Sequence, residues 1–263
     1  MLSKKTQTAA DYVSDIENMQ LLKISGVSFR EFLLEHRRFP IIAITGQSWV
    51  GKTTFTDILI NSLTERLKSD FPLLPPNVKK LTELPQMSPY LPIIKASSDG
   101  LSDQTLWEKN QELFRVLDEA ILTKASLESK NSVIVMDFSI IQVLVYAHMK
   151  IKWASGKDFV QTFNESFKNL PKPDFLVHIT AEPETVLGRL EARWSFIDEQ
   201  IQKHTEELHS YYSENGRDFL GEYYKDTPII RVHTDNLDLV NSIGDKALAT
   251  KEAVNETLMR IAA

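Results

Sequence analysis

Short, continuous apolar stretches rich in branched residues recur along the chain, at Ile41–Thr45, Val78–Thr82, Ser132–Met136, Asp174–Thr180 and Pro228–His233. Runs of this length and composition predict strands buried on both faces. Longer amphipathic stretches lie between them and predict helices over Lys52–Lys68, Ser102–Leu127, Ile140–Trp153 with Phe159–Phe167, and Pro183–Trp194 running on to Ile197–Tyr212. Pro183 suits a first helical turn, where its missing amide would be unpaired anyway. Strands alternating with helices predict an α/β fold: a mostly parallel five-stranded sheet with helices on both faces, a three-layer sandwich.

Ahead of the first strand, residues 1–38 read as a helical N-terminal extension, with pieces around Asp11–Ile24 and Ser28–His36 separated by Gly26. Ser28 and Glu31 have the spacing of a capping box. Residues 39–263 form the main domain. Phe71–Asn77 and Leu84–Gly100, each with three prolines, read as rigid extended loops.

Composition fits this picture, with 42% hydrophobic and 25% charged residues over 263 positions. The absence of cysteine excludes disulfides, thiolate nucleophiles and thiolate metal sites, and an intracellular, cytoplasmic setting is expected. The first residues lead into polar sequence and no apolar run is long enough to span a bilayer, so a soluble protein without a membrane partner is expected. A net charge of −6 with scattered basic residues argues against nucleic acid as a partner. The histidines are scattered along the chain, and each reads as a surface or satisfied core position.

Candidate chemistry begins at Gly46-Gln47-Ser48-Trp49-Val50-Gly51-Lys52-Thr53, between a predicted strand and a helix opening with Thr53, Thr54 and Phe55. The two glycines allow the backbone close to a ligand, and the helix N-terminus turns its amides and positive dipole end toward phosphates. Lys52 then reaches the β and γ phosphates, and the Thr53 hydroxyl is placed to ligate Mg²⁺. Binding of a nucleoside triphosphate follows, with ATP and Mg²⁺ as the expected cofactors. Ser132–Met136 closes on Asp137, and a carboxylate at the C-terminal end of a neighbouring strand can hold the hydration shell of Mg²⁺. The alternative is an aspartate that caps the helix starting near Ile140.

Four stretches, in an order of elements running from about Arg38 to Ala262, resemble the deoxynucleoside kinase and thymidylate kinase group of P-loop phosphotransferases. They are the phosphate loop, Thr82-Glu83-Leu84-Pro85, Asp137-Phe138-Ser139, and Pro173-Asp174 through Glu182-Pro183-Glu184 to Arg189 and Arg193. The resemblance implies an ATP- and Mg²⁺-dependent phosphotransferase with a small acceptor, a (deoxy)nucleoside or nucleoside monophosphate. Nucleotide donor and acceptor are then the small-molecule partners, and a homodimer is the candidate assembly. Lys52, Glu83, Asp137 and Arg193 are the catalytic candidates.

Glu83 can accept a proton from an acceptor hydroxyl, unless it is a solvated loop glutamate. Arg189 and Arg193 lie one helical turn apart. The resemblance implies that Arg189 packs near the adenine and Arg193 reaches the phosphates; alternatively, both pair with Glu184 or Glu191 on an exposed face. Gln104, Glu108, Gln111 and Arg115 form one stripe of a helix, able to read a base edge and a sugar or phosphate, or simply facing solvent. Tyr90, Trp107, Phe114 and Tyr146 are candidates for stacking on a base or for plain core.

Two departures weigh against full activity. Phe138 and Ser195 stand where the resembled group carries arginines, and arginine can supply several powers of ten in phosphoryl transfer. Lys203 is a candidate substitute. The competing readings are a non-catalytic or weakly active P-loop nucleotide-binding protein with a structural or regulatory role, and a kinase of another hydroxyl or a nucleotide-switch ATPase.

Overall fold

The computed structural model describes residues 29–47, 49–72, 75–82, 103–142, 144–145, 154–193, 197, 199–212, 219–235, 237 and 245–262. In chain order the elements are α1 (Phe29–His36), β1 (Ile41–Thr45), α2 (Lys52–Asp70), β2 (Asn77–Leu81), α3 (Asp103–Glu128), β3 (Ser132–Met136), α4 (Ala154–Phe167), β4 (Phe175–Thr180), α5 (Pro183–Arg193), α6 (Glu199–Tyr212), α7 (Phe219–Tyr223), β5 (Ile229–His233) and α8 (Asp245–Ala262). The strands form one sheet in the order β2-β3-β1-β4-β5, with every pairing parallel. The expected α/β sandwich is therefore the observed fold.

Strand periodicity explains the layers. Ile42, Ile44, Val133, Val135, Val177 and Ile179 point to one face and pack with Phe55, Leu59, Leu63 and Leu67 of α2, Val186 and Leu190 of α5, and Val254 and Ile261 of α8. Ile41, Ala43, Ile134, Met136 and Leu176 point to the other, against Ile121, Leu122 and Ala125 of α3, Phe163 and Phe167 of α4, Leu208 and Tyr212 of α6, and Leu220 of α7. β1 is buried at all five positions, so the loop that follows it starts from the rigid centre of the molecule. Strand order reverses around β1, and α/β folds of this kind place ligands at the carboxyl ends of the strands there.

β2 is an edge strand with two consecutive lysines. Lys79 turns to Glu128 on the α3 side at 3.6 Å, and Lys80 turns to the α2 side, charges that protect an exposed edge from further pairing. Where the interior strands β1 and β4 begin, Asp174 accepts two bonds from the Arg38 guanidinium, both at 2.6 Å, and one from the Ile41 amide at 2.8 Å. This pair fastens the approach to β1 onto the approach to β4. Leu33 of α1 is wholly buried in the same core.

Several expected boundaries move. β2 begins and ends one residue early, while β4 and β5 begin one residue late. α4 is one continuous helix from Ala154, not a piece starting at Phe159, because Ser155 and Gly156 fall in its first turn, where interior propensity matters least. α5 and α6 are separate helices, with Ile197 non-helical between them. α7 and α8 were not anticipated. The Asp11–Ile24 helix lies outside the described residues, and among those described no helix is long and apolar enough to cross a membrane.

Candidate active site

Among the described residues of the loop from Gly46 to Lys52, three have positive φ: Gly46 at 145°, Trp49 at 70° and Gly51 at 95°. A Cβ on Gly46 would stand 2.1 Å from the Ile179 carbonyl oxygen of β4, so only glycine lets the loop leave β1 this close to its neighbour. Trp49 is left-handed, a conformation that costs a side-chain-bearing residue on the order of 1 kcal/mol, and is 40% exposed on the loop. Val50 is buried beneath it, and Gly51 caps α2. Ser48 lies outside the described residues.

Lys52 Nζ donates to the carbonyl oxygens of Gly46 and Gln47, both at 2.8 Å. The ammonium therefore spans the loop from the first turn of α2 back to its start, over the space where the helix amides point. Thr53 is exposed beside it. Thr45 and Gln47 bury side-chain polar atoms for which no described group provides a hydrogen bond, leaving unmet bonding capacity under the loop.

Asp137 stands at the C-terminal end of β3, its amide donating to the Leu81 carbonyl at 2.9 Å. Its Oδ1 lies 3.0 Å from the Thr56 hydroxyl, which is also 2.8 Å from the Lys52 carbonyl, and its Oδ2 lies 3.4 Å from Lys80 Nζ. Thr56 thus couples the carboxylate to the first turn of α2, where it follows Thr54 by two residues. The turn after β3 takes its bonds from Ser139 instead: the Gln142 amide donates to the Ser139 carbonyl, and the Ile141 amide lies 3.4 Å from the Ser139 hydroxyl. Phe138 points the opposite way from Asp137 and is buried in the α3-side core, so position 138 contributes apolar packing.

Arg189 reaches back from α5 to the rear of the loop. Its guanidinium donates to the Val50 carbonyl at 3.0 Å, the Thr234 hydroxyl at 3.0 Å and the Thr234 carbonyl at 2.6 Å. The Thr234 hydroxyl is itself 3.0 Å from the Val50 carbonyl, so the segment after β5, the loop and α5 meet at one point. Burial pushes the Arg189 pKa below its ordinary value, and Asp235 opposes that shift. Neither Glu184 nor Glu191 is its partner in these bonds. Arg193 ends α5, but its side chain, like those of Gln104, Glu108, Gln111, Trp107 and Phe114 on α3, lies outside the description. So do Glu83, Tyr90, Tyr146 and Ser195. Arg115 pairs with Glu119 one turn along α3, and Lys203 is exposed on α6.

The structure therefore brings together the phosphate loop, Lys52, Thr53, Asp137 and, behind the loop, Arg189. Sequence reasoning missed Thr56, Lys80 and Thr234. Thr56 carried a signal, since it falls four residues after Lys52 on the helix that opens the site; Lys80 and Thr234 carried none, because their roles depend on sheet order.

A family model for deoxynucleoside kinases matches residues 42–258, from the middle of β1 to the last turns of α8. This chain belongs to the deoxynucleoside kinase family. As a deoxynucleoside kinase family member it is a nucleoside kinase-like phosphotransferase and a nucleotide-binding protein. It is 25% identical over 207 residues to the deoxyguanosine kinase of Bacillus subtilis (strain 168), an alignment that covers 78% of this chain and 92% of that protein. Its fold is similar to that of a solved deoxyadenosine kinase from M.mycoides with dCMP and a flexible dCDP bound. The TM-score is 0.53 at 17% identity, covering 84% of this chain and 98% of that one.

Proposed function

We propose that this kinase transfers the γ-phosphoryl group of ATP, with Mg²⁺, to a hydroxyl of a deoxynucleoside. The observation that carries the reading is the loop from Gly46 to Lys52, with Lys52 Nζ drawn across it and the Asp137 carboxylate behind the first turn of the same helix. Mg²⁺ fits the residues present: a threonine hydroxyl and an aspartate carboxylate are hard oxygen donors, and Mg²⁺ at such sites takes one or two protein oxygens and completes its shell with phosphates and water. Thr53 and Asp137 would hold it, and it would neutralise charge on the transferred phosphoryl group.

The chain's own residues do the rest. Lys52 moves from the Gly46 and Gln47 carbonyls to the phosphates, exchanging neutral acceptors for anionic ones that bind it more strongly. Loop amides hold the non-transferred oxygens, and Arg193 reaches the phosphates from the end of α5. Arg189 holds the loop from behind. Glu83 takes the proton of the acceptor hydroxyl. On α3, Gln104, Glu108, Gln111 and Arg115 line the acceptor side, with Arg115 released from Glu119 when an acceptor is bound. A deoxynucleoside acceptor, purine in preference, is supported by the Bacillus subtilis relative, whose name specifies deoxyguanosine. Residues 39–263 act as the kinase unit, residues 1–38 are an extension to it, and a homodimer is the working assembly.

The test is a panel of deoxynucleosides, ribonucleosides and their monophosphates incubated with ATP labelled at the γ position. Labelled deoxynucleoside monophosphate, formed fastest from a purine, is expected. Label appearing only in diphosphates, or only as free phosphate, overturns the acceptor assignment.

A further inference from the structure

We propose that Lys80 is a positioning residue for the Asp137 carboxylate, an internal counter-ion shared with Asp57 that a divalent cation must displace. The inference rests on the reading of Asp137 as a metal-binding group. The two lysines of β2 do different things. Lys79 makes an ordinary surface pair with Glu128, whereas Lys80, on the other face, lies 2.6 Å from Asp57 Oδ1 and 3.4 Å from Asp137 Oδ2.

The two carboxylates are unequal. Asp137 has a side chain only 7% exposed, while that of Asp57 is 60% exposed and that of Lys80 is 24% exposed. A carboxylate as covered as Asp137 needs a counter-charge more than a solvated one does, because water screens it less. Asp57 follows Thr53 by four residues and so lies one turn further along the same face of α2. Lys80 consequently bridges Asp137, one of the two groups assigned to Mg²⁺, and Asp57, with one anionic partner inside the site and another at its edge.

An ammonium and a divalent cation repel each other, and both cannot bind one carboxylate at full strength. When the metal binds, Lys80 retreats onto Asp57, its closer partner already, and the site keeps its charge balance. Removing the lysine and removing its alternative partner must then act in opposite directions. Without Lys80 nothing competes for Asp137 and metal binds more tightly. Without the Asp57 charge, Lys80 remains with Asp137 and metal binds more weakly.

The experiment titrates Mn²⁺ into the full chain complexed with a non-hydrolysable ATP analogue and follows it by electron paramagnetic resonance, with a thermal melt of each variant. Lys80→Met is expected to lower the Mn²⁺ dissociation constant about three- to tenfold. Asp57→Asn should raise it, and Lys80→Arg should stay near wild type. Unchanged or weaker Mn²⁺ binding in a folded Lys80→Met variant overturns the proposal. If that variant fails to fold, Asp57→Asn decides, since its site is exposed: unchanged Mn²⁺ affinity there means that Lys80 is only a structural link. Asp137→Asn separates the two readings, because Mn²⁺ affinity that survives this change overturns the metal assignment itself.

Discussion

At the scale of single residues, the loop depends on Gly46 for two independent reasons, its φ of 145° and the Ile179 carbonyl where a Cβ would lie. Gly46→Ala is therefore expected to destabilise the fold on the order of 2–4 kcal/mol and to abolish nucleotide binding, as urea denaturation and calorimetry would record. Lys52→Ala removes a mobile cation and no core packing, so it should weaken ATP binding by about tenfold or more while the melting temperature changes little. A melting point that collapses with Lys52 would mean that its bonds to Gly46 and Gln47 hold the loop together. Both positions were legible in the sequence because the motif is local: glycines, lysine and threonine act within one turn of backbone. Phe138 was legible only as a departure, and the structure supplies its physical reason, since successive residues past β3 face opposite layers and position 138 faces the apolar one.

Among elements, α5 shows what spacing alone conceals. Its spacing put Arg189 and Arg193 one turn apart, but the partners of Arg189 are Val50 and Thr234, distant in sequence and brought near by the parallel order of β1, β4 and β5. Lysine keeps the charge but has no planar fork to bond two carbonyls and a hydroxyl together. Arg189→Lys should thus cost about 1–2 kcal/mol in denaturant unfolding and also weaken ATP binding, the loop having lost its rear support. Stability loss with unaltered ATP affinity would show that the loop stands by itself. The strands were readable because branched apolar runs are short and distinct, whereas α8 went unseen. Its buried positions, Thr250, Val254, Thr257 and Ile261, follow helical spacing, but half are threonines, so no apolar stripe announces the buried face.

For the whole molecule, the layered core places one titrating group where solvent does not reach. Tyr224 is buried, its hydroxyl is 3.0 Å from that of Ser139, and burial pushes its pKa up to about 12, with the Ser139 bond opposing and Asp118 reinforcing the shift. An unfolded tyrosine releases its proton near pH 10. The folded state therefore holds the proton longer, and its contribution is complete below pH 10 and lost as pH rises through 12. About 2–3 kcal/mol of stability should disappear over that interval. Tyr224→Phe should flatten this part of the profile, at the cost of the Ser139–Tyr224 hydrogen bond at neutral pH; a slope identical to wild type would assign the loss elsewhere. One exposed ring gives the molecule an optical signature as well. Trp49 stands 40% exposed on the loop that nucleotide is proposed to fill, and is one of four tryptophans in the chain. Its emission in water is red-shifted and sensitive to what covers the indole. Titrating ATP should therefore change the fluorescence spectrum of the unmodified protein, and Trp49→Phe should remove that change, so the strained residue of the loop doubles as a label-free reporter of occupancy.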